Sequence, residues 1–173
     1  MNRNRKIQLA LIFWLIFGSI NNIYASNIIQ NKIVKYAQDE IGNGEENKNN
    51  CGRYIKLYLK GRENLPWCAG FVSYILNKAG INELGYNSRA RDFYYKAKKL
   101  NWIIENPEAG DLIVFWRKNK DGNLGHIGII EKIENNKIIS IEGNVGKYPA
   151  RVKRIIYDKN KIHNLLGYIR IRK

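Results

Sequence analysis

Cys68 stands in Pro66-Trp67-Cys68-Ala69-Gly70-Phe71, where a polar loop gives way to residues at buried-helix spacing. A thiol at a helix start is placed for nucleophilic attack. The first backbone N–H groups of a helix lack internal partners and carry about half a positive charge, which favours thiolate over thiol and can hold an oxyanion. Such a nucleophile also needs a base and a group to orient that base. The chain has two histidines. His126, in Gly125-His126-Ile127-Gly128 at the opening of a strand, is the natural base, whereas His163 lies in a lysine-rich connection. The far nitrogen of the imidazole normally takes a carboxylate or amide. Ile141-Glu142-Gly143-Asn144 offers both. Glu142 is the first choice, and Asn144, of the same strand parity, is the alternative orienter or a polar group near the oxyanion.

This assignment carries a geometric condition. A two-residue turn at Asn135-Asn136 in a regular hairpin would pair Gly128 with Gly143 and put Glu142 and His126 on opposite faces. We therefore expect either a three-residue connection or one bulge. The competing reading of Cys68 is a disulfide with Cys51, closing a short loop worth about 3 kcal/mol. Cys51 sits in the polar stretch Asn49-Asn50-Cys51-Gly52, and a structural bridge does not require the helix-start setting of Cys68.

The elements that must position these groups follow from periodicity. Ile29, Ile33, Tyr36, Ala37 and Ile41 predict a helix over 27–41, Ile55, Tyr58 and Leu59 a short one over 53–59, and Phe71, Val72, Ile75, Leu76 and Ala79 a buried one that stops at Gly80. Cys68 lies in line with Val72 and Ile75, so its sulfur should face the protein body. A fourth helix is expected over 88–100. Beyond Asp111 the pattern becomes strands, at 112–116, 126–133, 137–141, 152–157 and 166–171. Helices first and strands afterwards, without alternation, indicate α+β with an antiparallel sheet in one domain over residues 26–173.

Arg3, Arg5 and Lys6 precede an apolar run from Ile7 to Ile20, and Ala25 offers a small residue for cleavage. This is the layout of a signal peptide over residues 1–25, so we expect export to the periplasm, the cell envelope or the medium. The run is shorter than the ~20 residues of a bilayer span, an uncleaved anchor being the alternative. The formal net charge is +15, and loss of residues 1–25 removes three positive charges, leaving +12. Such a chain is drawn to anionic wall polymers and membrane surfaces; no nucleic-acid-binding signature accompanies the charge. No His/Cys cluster has zinc-ligand spacing, so neither metal nor cofactor is expected.

The ordered set Trp67-Cys68-Ala69-Gly70-Phe71-Val72, Gly110-Asp111-Leu112-Ile113-Val114-Phe115-Trp116, Gly125-His126-Ile127-Gly128 and Glu142-Gly143-Asn144 resembles the CHAP family. These are cysteine, histidine-dependent amidohydrolases and peptidases of papain-like fold, related to the NlpC-type wall peptidases. We expect a monomer, and the resemblance implies a hydrolase of peptidoglycan, either an N-acetylmuramoyl-L-alanine amidase or an endopeptidase. It makes Cys68 the nucleophile, His126 the base, Glu142 the orienting acid and Asn144 a further polar group of the site. Trp67, Trp116, Tyr86, Tyr94 and Tyr95 as a group read first as core packing, with Trp67, beside the nucleophile, the best candidate among them for a substrate groove. An arginine of Ser88-Arg89-Ala90-Arg91 could meet a substrate carboxylate, an exposed helix start being the alternative. Cys51 has no place in the pattern. The rival classes are a non-catalytic wall-binding scaffold of the same fold and a cationic membrane-active protein.

Overall fold

The computed structural model describes residues 27–172; the leader expected at 1–25 lies outside them. Four helices precede the sheet: α1 over residues 27–39, α2 at Arg53–Tyr58, α3 at Cys68–Lys78 and α4 at Ala90–Lys99. Each buries the stripe its spacing predicts, including Ile33 and Ala37 on α1, Ile55 and Tyr58 on α2, and Phe71, Val72, Ile75 and Leu76 on α3. Small residues at the start of α3 let it lie close over α2. A Cβ at Gly70 would come within 2.6 Å of Leu59 Cδ2 and 2.9 Å of the Tyr58 carbonyl.

The strands are β1 at Ile103–Ile104, β2 at Leu112–Trp116, β3 at Gly125–Glu134, β4 at Lys137–Val145, β5 at Arg151–Asp158 and β6 at Leu165–Ile169. They form one antiparallel sheet in the order β1-β6-β2-β3-β4-β5. The five expected strands are present, and the two-residue β1 is an addition that no periodicity could reveal. This is the α+β, papain-like arrangement, with the helices on one face of a C-terminal sheet. Leu112, Val114, Ile127, Ile129 and Ile141 join the helices in the main core, while Ile113, Phe115, Ile130, Ile138 and Tyr168 form a second cluster. The division follows strand alternation, which sends successive side chains to opposite faces.

Gly110-Asp111 marks the entry to β2 and has a structural role. Gly110 adopts a φ of 87°, and a Cβ there would fall 2.6 Å from Gln30 Cβ. The fully buried Asp111 carboxylate accepts from Arg170 Nε at 3.1 Å and Nη2 at 2.9 Å, and from the Glu108 N–H at 2.7 Å. It thereby ties the start of β2 to the chain just after β6.

The hairpin between β3 and β4 meets the expected condition through a bulge. Asn135 and Asn136 both take left-handed backbone (φ 47° and 62°), as a tight two-residue turn requires, and pairing begins regularly with Glu134 opposite Lys137. The register then shifts between Ile130 and Lys132, leaving Glu131 as the extra residue, and continues with Ile130 opposite Ser140 and Ile129 opposite Ile141. Side chains on Gly128 and Glu142 therefore share a face. The bulge is tethered: the Glu131 carboxylate accepts from Arg154 Nε at 2.6 Å and Nη2 at 2.8 Å, on β5, and from Gln38 Nε2 at 2.7 Å, on α1. Arg154, ahead of the opposing cost of burial, holds the Glu131 pKa below the usual carboxylate range. Glu131→Ala is expected to lower unfolding stability by about 1–3 kcal/mol, the scale of charge-assisted hydrogen bonds to a buried group. Urea denaturation checks this, and an unchanged midpoint would mean that the tether does not hold the bulge.

Candidate active site

Cys68 is the first residue of α3 and is 8% exposed. Trp67 precedes it as the N-cap residue, and no side chain caps the helix. A Ser or Asp at that position would occupy one of the leading amides. Its absence leaves the N–H groups at Cys68 and beyond available to a substrate oxygen. The sulfur faces the protein body, as the helical stripe predicts, within the main core cluster.

His126 and Glu142 meet on the sheet. The His126 Nε2 lies 2.7 Å from Glu142 Oε2, with both side chains almost wholly buried. Gly128 makes room for the contact, because a Cβ there would lie 2.6 Å from Glu142 Cγ. The imidazole stacks on Phe115 at 6.2 Å between centroids, and Phe115 in turn packs on Tyr157 at 5.0 Å. Glu142 has further support that sequence reading missed. Ser140 Oγ donates to Oε1 at 2.5 Å, and Tyr157 of β5 lines the same pocket, close enough to help lower the carboxylate's pKa. Ser140 was within reach of the alternation rule, being two residues before Glu142 on the same face; Tyr157 required the β4–β5 register.

The other ring nitrogen, Nδ1, is buried and has no partner in hydrogen-bonding geometry. Cys68 is nevertheless close enough to act on the ring through a hydrogen-bond and a charge contribution. We read this as a sulfur–imidazole contact that is loose in the resting site, as catalytic hydrogen bonds often are without substrate. Burial is the largest influence on His126 and lowers its pKa, but Cys68 and Glu142 together outweigh it and raise the value from 6.5 to about 9. Burial likewise raises the Glu142 pKa, yet hydrogen bonds and charge from His126, with Ser140 and Tyr157, bring it below the ordinary value. Burial and the neighbouring Glu142 push the Tyr157 phenol upward, so it stays a neutral donor. The site therefore favours a protonated imidazole paired with Glu142.

Two depressions flank these groups. A cleft of about 310 Å³ reaches Cys68 between the chain after α2, the start of α4 and the loop before β3, with Arg62, Leu65, Arg89 and Leu124 among its walls. On the other side a shallower pocket is lined by His126, Glu142 and Asn144 together with Arg117 and Tyr157. Asn144 takes left-handed backbone (φ 61°) where the β4–β5 register breaks, while the contact to His126 Nε2 is made by Glu142.

Trp67 does not line either depression, contrary to the expectation from its position beside Cys68. It is fully buried, stacks on Tyr58 at 5.6 Å, and donates its indole N–H to Glu45 Oε1 at 3.3 Å. A helix-entry residue turns away from its neighbour, and here it turns into the core. Arg91 is also buried, donating to the Lys120 carbonyl at 2.7 Å and to Tyr95 Oη at 2.8 Å, whereas Arg89 reaches the cleft and pairs with Asp92 at 3.2 Å. Both cysteines are free thiols, with Cys51 Sγ 3.2 Å from Asn64 Oδ1.

The fold and its helix-start thiol beside a buried imidazole define the papain-like class. Within that class the chain carries a CHAP domain: the CHAP domain family model matches residues 60–144, the stretch containing Cys68, His126, Glu142 and Asn144. Two solved structures share the fold: the crystal structure of Ly7917 (16% identity, TM-score 0.54) and that of Ly7917 with the hydrolyzing product of MDP (15%, 0.53). Each alignment covers 83% of this chain, and the chain spans 62% and 63% of the lengths of those structures. Comparison with curated proteins gives no match.

Because the folded pKa of His126 is raised, its imidazolium contributes stability that is present below pH 6.5 and lost as the pH rises through about 9. NMR titration of the ring should give a midpoint near 9, and Glu142→Gln should move it down by about one unit or more. An unmoved midpoint would show that Glu142 does not hold the imidazolium.

Proposed function

We propose that this protein is an exported peptidoglycan hydrolase that cuts an amide bond through a Cys68 thiolate, either between the glycan and its stem peptide or within the peptide. The observation that carries the reading is the buried His126–Glu142 pair beside a thiol at an uncapped helix start, inside the segment matched by the CHAP domain. The Ly7917 structure with a product of MDP, a muramyl dipeptide, supports a wall-fragment substrate. The strongly cationic composition suits an enzyme that works on an anionic envelope.

In this mechanism His126 holds the proton of Cys68, giving a thiolate and imidazolium. Sulfur attacks the amide carbonyl, an S–C bond forms, and the carbonyl electron pair becomes an oxyanion held by the Cys68 N–H at the start of α3. The imidazolium passes its proton to the amide nitrogen, the C–N bond breaks, and the amine leaves. Water then attacks the thioester while His126 takes its proton, and return of that proton to sulfur releases the acid and restores the thiol. Glu142, steadied by Ser140 and Tyr157, fixes the ring and offsets its charge throughout. Asn144, at the rim beside His126, is the further polar group available to the reacting carbonyl or to the peptide.

Digestion of purified peptidoglycan under reducing conditions tests the reading. The wild-type protein should release soluble fragments and Cys68→Ala none, a loss of about 10³-fold or more. Cys51→Ala should retain most activity, because its sulfur is engaged with Asn64. Mass spectrometry of free stem peptides would identify an amidase, and uncrosslinked or shortened peptides an endopeptidase. Equal loss in the two cysteine variants would remove Cys68 from its role.

A further inference from the structure

The cleft that ends at Cys68 combines two features that the catalytic groups leave unused. Its walls include two leucines left open to solvent, Leu65, 41% exposed, and Leu124, 53% exposed. Its mouth carries Arg62, whose guanidinium is fixed by neutral partners only. Nε donates to the Leu59 carbonyl at 3.2 Å, Nη2 donates to Tyr86 Oη at 3.0 Å, and the plane lies 5.5 Å from the Tyr86 ring centroid. Lys60 sits over the same ring at 4.8 Å, adding positive charge to that side. Among the described residues no carboxylate pairs with Arg62, whereas Arg89 across the cleft has Asp92.

A guanidinium held in place without a counter-ion, in the same cleft as two exposed leucines and Cys68, is preorganised for an anion on a partly apolar ligand. We propose that Arg62 determines specificity by binding a free carboxylate of the substrate peptide, while Leu65 and Leu124 cover an aliphatic portion of the same peptide. Arg89, already paired, assists only weakly. The proposal rests on the peptidoglycan reading and sharpens it: the preferred stem peptide bears an unamidated carboxylate close to the scissile amide.

The test uses a matched pair of glycan–peptide fragments that differ only in whether the glutamate α-carboxyl is free or amidated, with wild-type protein, Arg62→Gln and Arg62→Lys. Arg62→Gln should raise KM for the carboxylate fragment about tenfold, leave KM for the amidated fragment and kcat for both nearly unchanged, and so abolish discrimination between them. Arg62→Lys should restore part of the preference, which loss of a merely structural arginine would not. Equal KM changes on both fragments, or none, would overturn the proposal. Calorimetric binding of the same fragments to Cys68→Ala, with and without Arg62→Gln, provides an arm independent of turnover. Preference for the carboxylate there, without hydrolysis by the wild type, would uphold the subsite while removing the hydrolase reading; no preference would remove the subsite even if hydrolysis stands.

Discussion

Burying a carboxylate and an imidazole together is possible only if each answers the other's charge, and this pair governs the rest of the molecule. Glu142 is 1% exposed and His126 5%. An ion taken from water without a partner loses several kcal/mol even after relaxation, so neither group could ionise alone at this depth. The 2.7 Å contact between them, with Ser140 and Tyr157 on the carboxylate, supplies the compensation. It also leaves one ring nitrogen unengaged, with Cys68 near enough to act on the ring.

That pair exists only because of a register defect. A regular hairpin from the Asn135-Asn136 turn would have sent Glu142 into the helical core. The extra residue, Glu131, reverses the parity of everything beyond it, and Arg154 and Gln38 hold that residue from β5 and α1. Past Ile129 and Ile141 the start of α3 comes against β4, since a Cβ at Gly143 would fall 2.8 Å from Phe71 Cβ and from the Trp67 ring. Cys68 belongs to the helix-side core, while His126 packs on Phe115 of the opposite cluster. The thiol and the imidazole come from different layers and meet at the end of the sheet.

Much of this was legible in the sequence, and the limits follow a physical line. Helices and strands were readable wherever burial repeats every 3.6 or 2 residues, and the need for a hairpin irregularity followed from parity alone. The candidate set was readable because few residue types can supply a nucleophile, a base and an orienter, and the structure brings His126 and Glu142 of that set into contact. Side-chain direction at an element boundary was not readable: Trp67 adjoins Cys68 in sequence, yet it points into the core toward Tyr58 and Glu45. Nor were contacts between elements far apart in the chain, such as Tyr157 on Glu142 or the approach of Arg62 and Leu124 to one cleft.

The uncapped start of α3 shows how positioning and chemistry are kept apart. A capping side chain would strengthen the helix by about 1 kcal/mol, but it would do so by filling the amides that an oxyanion needs. Here the entry to the helix is fixed from behind instead. The buried Glu45 carboxylate accepts from the Trp67 indole, from the Asn50 N–H at 2.9 Å and from the Ala150 N–H at 2.8 Å, joining the loop before α2, the residue before Cys68 and the approach to β5. Trp67 is locked by stacking and this one hydrogen bond, and its backbone sets where Cys68 begins. Burying Trp67 therefore fixes the helix start more firmly than exposing it in a groove would, and it does so while leaving the leading N–H groups free of a side-chain cap.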